Sequence, residues 1–358
     1  MPSIHKLWDL FLYAGVGKEE YHKLLPDIRK ENCMLLKVFS RIAATMFFLL
    51  FVASIHSNGF AAKNSTTYLI CAIAMLMILF FSYFILLKHQ ALVTLFVYLF
   101  EILLYLFGIH ISMLHTEKPA VSAVAFLLVS PLLFYDRPVR LSALIAVVVA
   151  IFCRIVVSFK VPDVAETDVW NMITFGIVAV ATTVFIMSIK IRTLSQSLQI
   201  VYLSQTDLLT GVKNRNHYEN QLKEYPKLCT SNLTCVYADV NGLHEMNNRD
   251  GHHAGDKMLC EVADTMKQSF GPEHTYRIGG DEFVAFRVDG RPDNLPYEID
   301  QMKRALDKKG YHVSFGFAVR EKAQGSMNIN ELVNEAEGSM FADKREFYSQ
   351  SKYDRRNR

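Results

Sequence analysis

Residues Arg277-Ile278-Gly279-Gly280-Asp281-Glu282-Phe283 set two glycines directly before two carboxylates. Strand-like residues flank them, Thr275-Tyr276 before and Phe283-Val284-Ala285-Phe286 after. The pattern predicts a hairpin whose turn uses glycine torsions and whose tip carries paired acids. Such acids, beside residues without side chains, suit a divalent cation bridged to phosphate oxygens. An isolated Gly-Gly-Asp-Glu would be an ordinary solvated turn, so the surrounding blocks decide. Upstream, the apolar run Leu233–Ala238 ends in Asp239 and continues as Val240-Asn241-Gly242-Leu243-His244. Asn247, Gly251, His252 and Gly255-Asp256 follow, with a helix expected from about Ala254. Asp207-Leu208-Leu209-Thr210 through Asn214-Arg215 lies earlier; Ser314-Phe315-Gly316-Phe317-Ala318 and Ala342-Asp343-Lys344-Arg345 lie later. By contrast, Gly15-Val16-Gly17-Lys18 lacks both the full phosphate-loop spacing and a buried strand before it.

In order and spacing these five blocks resemble the GGDEF domain of diguanylate cyclases, enzymes that condense two GTP into cyclic di-GMP and two pyrophosphates. The resemblance covers roughly Ser204 to Tyr348. It implies an α+β fold like that of nucleotidyl cyclases and polymerase palms, a central antiparallel sheet with flanking helices. The Asp239 strand would then lie beside the hairpin. It also implies one or two Mg2+ ions (Mn2+ as a substitute) held by Asp239, the Val240 carbonyl, Asp281 and Glu282. Asp281 would act as the base and Glu282 as a ligand. Asn247, His252 and Asp256 match guanine-reading positions; an aspartate accepts from guanine N1–H and its amine, which adenine cannot donate from that edge. Gly242, Leu243 and His244 offer backbone amides to phosphates, Gly280 lies beside the substrate, and Lys344 is the basic phosphate contact. Two departures stand out. His244 replaces a common lysine, and Glu346-Phe347-Tyr348 replaces a Gly-Arg-Asn, which leaves neighbouring Arg345 as the substitute. Neither touches an acid of the metal set. A domain of this kind that bound GTP and only relayed a signal would have no need of the complete set.

The remainder of the chain must deliver and control this domain. Of its 358 residues 51% are hydrophobic, and the excess sits in the first half. Six apolar stretches are visible: Val38–Ile55, Tyr68–Leu87, Ala91–Leu114, Val121–Tyr135, Leu141–Phe159 and Met172–Ile189. Most reach the roughly 20 residues that span a bilayer core. Val121–Tyr135 is short and contains Pro131. The organisation expected is an amphipathic cytoplasmic segment (1–36) around Trp8, Leu10 and Phe11, then an all-α, six-helix membrane bundle (37–189) acting as a sensor. A coiled-coil signalling helix (190–206) and the GGDEF domain (207–358) follow.

Basic residues set the orientation. Arg29, Lys30 and Lys37, then Lys88, Arg137 and Arg140, then Lys190 and Arg192 fall on one side; Lys63, Lys118 and Lys160 fall on the other, the last among Asp163, Glu166 and Asp168. The expectation is a multi-pass protein of the cell (inner) membrane with both termini in the cytoplasm and the lipid bilayer as a partner. No cleavable signal peptide is apparent, since the apolar run after Lys6 is brief and leads to Lys18-Glu19-Glu20. The six cysteines show no CxxC pairing and read as reduced thiols. A net charge of +3 gives no case for nucleic acid. Ile191, Leu194, Leu198 and Val201 recur as an apolar seam, which reads as a parallel helix pair. A homodimer through this helix and the GGDEF domains follows chemically, because the product needs two GTP and each domain holds one. Within the spans, Glu101, His110 and Arg154 are ionisable; Glu101 and Arg154 are expected to pair, or Arg154 to reach outward.

Overall fold

The computed structural model describes residues 4–56, 64–86, 88–322 and 327–349. The chain divides into two compact units, Met1–Ser197 and Leu198–Arg358.

The first unit is helical: α1 (Ile4–Tyr13), α2 (Lys18–Ile55), α3 (Ser65–Phe84), α4 (Val93–Met113), α5 (Val121–Val129), α6 (Pro138–Phe159) and α7 (Pro162–Gln205). Among the described residues, five helical segments are long and apolar enough to cross a membrane by length and composition. The sixth apolar stretch is not one of them. It is the nine-residue α5 followed by a 3-10 turn, Ser130–Leu132, where Pro131 cannot donate to a continuing helix. The first expected span is the far half of α2, which starts at Lys18 in what reads as a separate polar segment. Lys63 and Leu87 lie outside the described residues. Side chains such as Ile42, Leu49, Ile70, Leu106 and Ile177 point outward, while Phe47, Met75, Phe100 and Phe134 fill the interior. Phe47 packs edge-on against Phe107, and Phe100 against Phe134, with ring centres 4.8 and 5.3 Å apart.

The Glu101–Arg154 pairing does not form. Glu101 is fully buried and neither carboxylate oxygen has a hydrogen-bond partner among the described residues, whereas Arg154 is exposed. His110 instead meets Thr67, Nε2 to Oγ1 at 3.2 Å. Lys160 Nζ and Asp168 Oδ2 form a buried ion pair at 2.5 Å; Asp168 also accepts from the Ala120 amide. The apolar seam near the end of α7 is divided, with Ile191 buried in the first unit, Leu194 and Leu198 half-buried and Val201 exposed.

The second unit holds β1 (Lys213–Asn214), α8 (Arg215–Gln221), α9 (Tyr225–Leu228), β2 (Asn232–Asn241), α10 (Leu243–Asp250), α11 (His252–Phe270), β3 (Thr275–Arg277), β4 (Glu282–Val288), α12 (Leu295–Asp307), β5 (His312–Glu321) and α13 (Ile329–Ser349). The sheet order is β1-β3-β4-β2-β5. β3, β4, β2 and β5 are antiparallel as expected; the two-residue β1 adds a parallel edge beside β3, making the sheet mixed. β2 is central and apolar on both faces, and its alternation sorts the core. Val236, Ala238 and Val240 face α11 and α12 with Phe283, Ala285, Val313 and Phe315. Cys235 and Tyr237 face α13 with Val284, Phe286, Ala336 and Met340. Asp239 has the parity of Cys235 and Tyr237, and Glu282 that of Val284 and Phe286, so both acids belong to the α13 face. Gly316 lets α13 lie directly on β5, since a Cβ there would come within 2.0 Å of the Met340 amide nitrogen.

Candidate active site

Cross-strand register brings the first two acids together. Asp239 on β2 is paired with Glu282 on β4 and, on its other side, with Ser314 on β5. The Val240 amide donates to the Asp281 carbonyl at 3.0 Å, which fixes the hairpin tip to the end of β2. Glu282 folds back over Gly279, where a Cβ would lie 2.6 Å from its Oε2. Helix α13, seated on Gly316, carries Lys344 to Asp239, with Nζ–Oδ1 at 2.7 Å. Asp343 steadies that helix, accepting from Lys303 Nζ at 2.6 Å and from the Phe315 amide at 2.9 Å.

Burial lifts the Glu282 carboxyl above the ordinary carboxylate range, and the charges of Asp239 and Asp281 add to the shift. The Asp239 carboxyl is also raised, by burial first; Lys344 pulls against this and Asp281 adds to it. The three acids do not close into one coordination shell. Among the described residues no three His, Cys, Asp or Glu side chains gather at metal-holding distance. The donor set nonetheless fits a hard divalent cation: crowded carboxylates that hold protons too readily are relieved by positive charge, and all the donors are oxygens.

Two helices, not one, follow β2. Gly242 takes φ 73° and starts α10, so Leu243 and His244 occupy its first turn, whose amides have no partner within the helix. The expected helix start near Ala254 is corrected to His252, after Gly251 separates α10 from α11. The sequence hid α10 because Leu243–Asp250 is polar and lacks an apolar stripe. Asn247 packs on Gly255, where a Cβ would lie 2.0 Å from its Oδ1. That oxygen is buried and without a hydrogen-bond partner among the described residues. Asp256 follows Gly255 and is half-buried; His252 is exposed on the first turn of α11. His244 is exposed, Nε2 to Asn248 Nδ2 at 3.1 Å. The candidate residues thus form two groups: Asp239, Asp281, Glu282 and Lys344 around the sheet, and Asn247 with Asp256 between α10 and α11.

Arg277 is the residue to which the sequence reading gave no role. Its Nε and Nη2 donate to the Gly280 carbonyl at 3.2 and 2.7 Å, and Nη1 to Asp207 Oδ1 at 3.1 Å. The signal was present as an arginine two residues before the glycine pair.

The family profile described as "Diguanylate cyclase, GGDEF domain" matches residues 204–348. Residues 204–348 are a GGDEF domain. The chain is similar to the cyclic di-GMP phosphodiesterase PdeB of Shewanella oneidensis, 33% identical over 123 residues, covering 34% of this chain and 14% of that protein. It is similar to the diguanylate cyclase DgcS of the same organism, 26% identical over 145 residues, covering 38% of this chain and 49% of that one. The diguanylate cyclase DgcN of Escherichia coli is 27% identical over 120 residues, covering 33% of this chain and 29% of DgcN. The chain therefore spans at most about half the length of these curated relatives. Among solved structures, the coiled coil and GGDEF domain of DgcB from Caulobacter crescentus covers 44% of this chain and 91% of that one, at 20% identity and a TM-score of 0.39. The literal Gly279-Gly280-Asp281-Glu282-Phe283 of the GGDEF domain is the turn that Arg277 holds.

Proposed function

We propose that the GGDEF domain is a diguanylate cyclase, condensing two GTP into cyclic di-GMP and two pyrophosphates. The observation that carries this reading is the register pair Asp239–Glu282 on the face covered by α13, with Lys344 beside it. Asp239, the Val240 carbonyl, Asp281 and Glu282 would hold Mg2+ or Mn2+, one or two per site, and the ion would supply charge neutralisation on the triphosphate. Asp281 takes the proton from the 3′-hydroxyl of the second GTP. Asn247 and Asp256 hold the guanine edge and His252 shapes the same pocket. The amides of Gly242, Leu243 and His244 meet the phosphates, Gly280 lets the substrate approach the turn, and Lys344 exchanges Asp239 for phosphate oxygens.

Two loaded domains must meet, so the active species is a homodimer joined through Leu194, Leu198 and Val201 as well as the domains. The exposed run Ile200-Val201-Tyr202-Leu203 at the end of α7 supports association there. The first unit is embedded in the cell's inner membrane by its apolar helices, with both termini cytoplasmic, where GTP is, and acts as the sensor. Nucleic acid is not a partner. The test is turnover of the full chain in detergent or vesicles with GTP and Mg2+ or Mn2+, with cyclic di-GMP and pyrophosphate both quantified. Formation of both in a 1:2 ratio supports the cyclase. Saturable GTP binding without product at any protein concentration would instead mark a GTP-binding relay.

A further inference from the structure

Lys30, Cys33, Met34 and Lys37 on α2, with Leu86 and Gln90 beyond α3, line a cavity of about 230 Å3. Its floor is apolar: Leu86 and Cys33 are buried. Two lysines line it, and among the described residues no carboxylate does. Lys37 Nζ lies over the Tyr83 ring, 4.8 Å from its centre, and Arg41 donates to the Tyr83 hydroxyl, so a single ring anchors two cations near the rim. Neither Lys30 nor Lys37 forms an ion pair with a carboxylate among the described residues. Two cations lining an apolar cavity two helical turns apart gain most from an anion that also brings hydrocarbon.

The surface beyond the cavity supplies the second half of that description. Met34, Val38, Ile42, Met46 and Leu49 follow at steps of four, four, four and three, and each is exposed by between 41 and 61%. Such spacing keeps them on one face of α2. They form an apolar track leading from the lysines along the span.

We propose that this cavity seats the phosphate headgroup of an acidic glycerophospholipid between Lys30 and Lys37, with acyl chains along Met34, Val38, Ile42, Met46 and Leu49. The proposal rests on the membrane reading of the first unit and is independent of cyclase activity.

The full chain, purified in mild detergent, is offered equal amounts of phosphatidylglycerol and phosphatidylcholine of matched chain length, and retained lipid is measured by native mass spectrometry. Two basic side chains predict roughly a tenfold or greater preference for the acidic lipid. Lys30→Gln with Lys37→Gln abolishes the preference; Lys30→Arg with Lys37→Arg keeps it, as does Lys118→Gln. A photoreactive phosphatidylglycerol labels the wild-type peptides containing Met34 and Leu86, a readout that does not depend on any variant folding. Equal retention of the two lipids, undiminished preference in the glutamine pair, labelling only elsewhere, or displacement of the lipid by soluble glycerol 1-phosphate would each overturn the proposal. Extraction of the chain from membranes by alkaline carbonate would instead overturn the membrane reading itself.

Discussion

Asp207 Oδ1 and Arg277 Nη1 meet at 3.1 Å, and the same guanidinium grips the Gly280 carbonyl. Asp207 lies two residues past the end of α7 and also holds Thr210 through its amide and hydroxyl. Burial opposes its charge, but the donors from Thr210 and Arg277 outweigh it and keep the carboxyl below its ordinary value. One arginine therefore ties the start of the GGDEF domain to the turn carrying Asp281 and Glu282. Arg277→Ala should lower kcat by on the order of 10²-fold, the cost of a misplaced turn, with a smaller change in KM. Arg277→Lys should recover little, because a single ammonium cannot fork between Gly280 and Asp207. Wild-type kcat in both variants would remove Arg277 from the positioning role.

Glu282→Gln keeps shape and removes charge, and is expected to cost at least roughly two orders of magnitude in turnover. Because burial and the neighbouring acids raise the Glu282 carboxyl, the charged form is lost as pH falls through a value above the ordinary carboxylate one of about 4.3. Titrated without divalent metal, the Glu282 carboxyl should accordingly lie above that of a free glutamate, and added Mg2+ or Mn2+ should lower it. A metal-free titration at or below that of a free glutamate would contradict this.

Asp289 closes the β2–β4 end of the sheet, accepting from the amides of Thr230, Ser231 and Asn232 and from both hydroxyls. These donors hold its carboxyl far below the usual value. A depressed folded-state value stabilises above the unfolded value near 3.9, and the stabilisation is lost as pH falls through the folded one. Asp289→Asn, which tolerates the residue's φ of 53°, should therefore melt lower than wild type at pH 7. The gap should shrink steadily below about pH 4. A gap independent of pH would show that charge is not what the five donors hold.

Relatives of this domain commonly carry an Arg-x-x-Asp product-binding motif before the hairpin; here those positions are Phe270 and Glu273. Phe270 is buried with Arg287 stacked 4.9 Å from its ring centre, and Glu273 is paired with Lys213 at 2.9 Å. Phe270 offers no donor, and the Glu273 carboxylate would repel a phosphate. Cyclic di-GMP titrated into the turnover assay should inhibit only weakly. Potent non-competitive inhibition that disappears in Glu273→Ala would refute this.

The acids were legible in the sequence because their neighbours are regular: alternation along Leu233–Ala238 and Phe283–Phe286 fixes parity, and parity places Asp239 and Glu282 on one face. What stayed hidden rests on contacts between segments distant in sequence. Arg277 acts through Asp207, 70 residues away, and no local pattern announces a donor to a backbone carbonyl. The polar α10 carries no apolar stripe, and Glu101 was given a charged partner that the packed helices do not supply. Apolar length marked five helices long enough to span and overreached at Val121–Tyr135, where Pro131 limits the helix.

Helix α7 runs 44 residues from Pro162 to Gln205, and beyond its first residue no proline interrupts it. At about 1.5 Å per residue it is a rod of roughly 66 Å. Such a rod carries angle as well as length: each added residue turns everything beyond it by about 100° and advances it about 1.5 Å, whereas seven residues restore the facing to within about 20°. Insertions between Lys190 and Leu203 therefore act on the phase of the Leu194–Leu198–Val201 seam. An insertion of two residues puts the two ends of the rod nearly opposite in facing, and one of seven makes it about two turns longer while leaving its two ends in step.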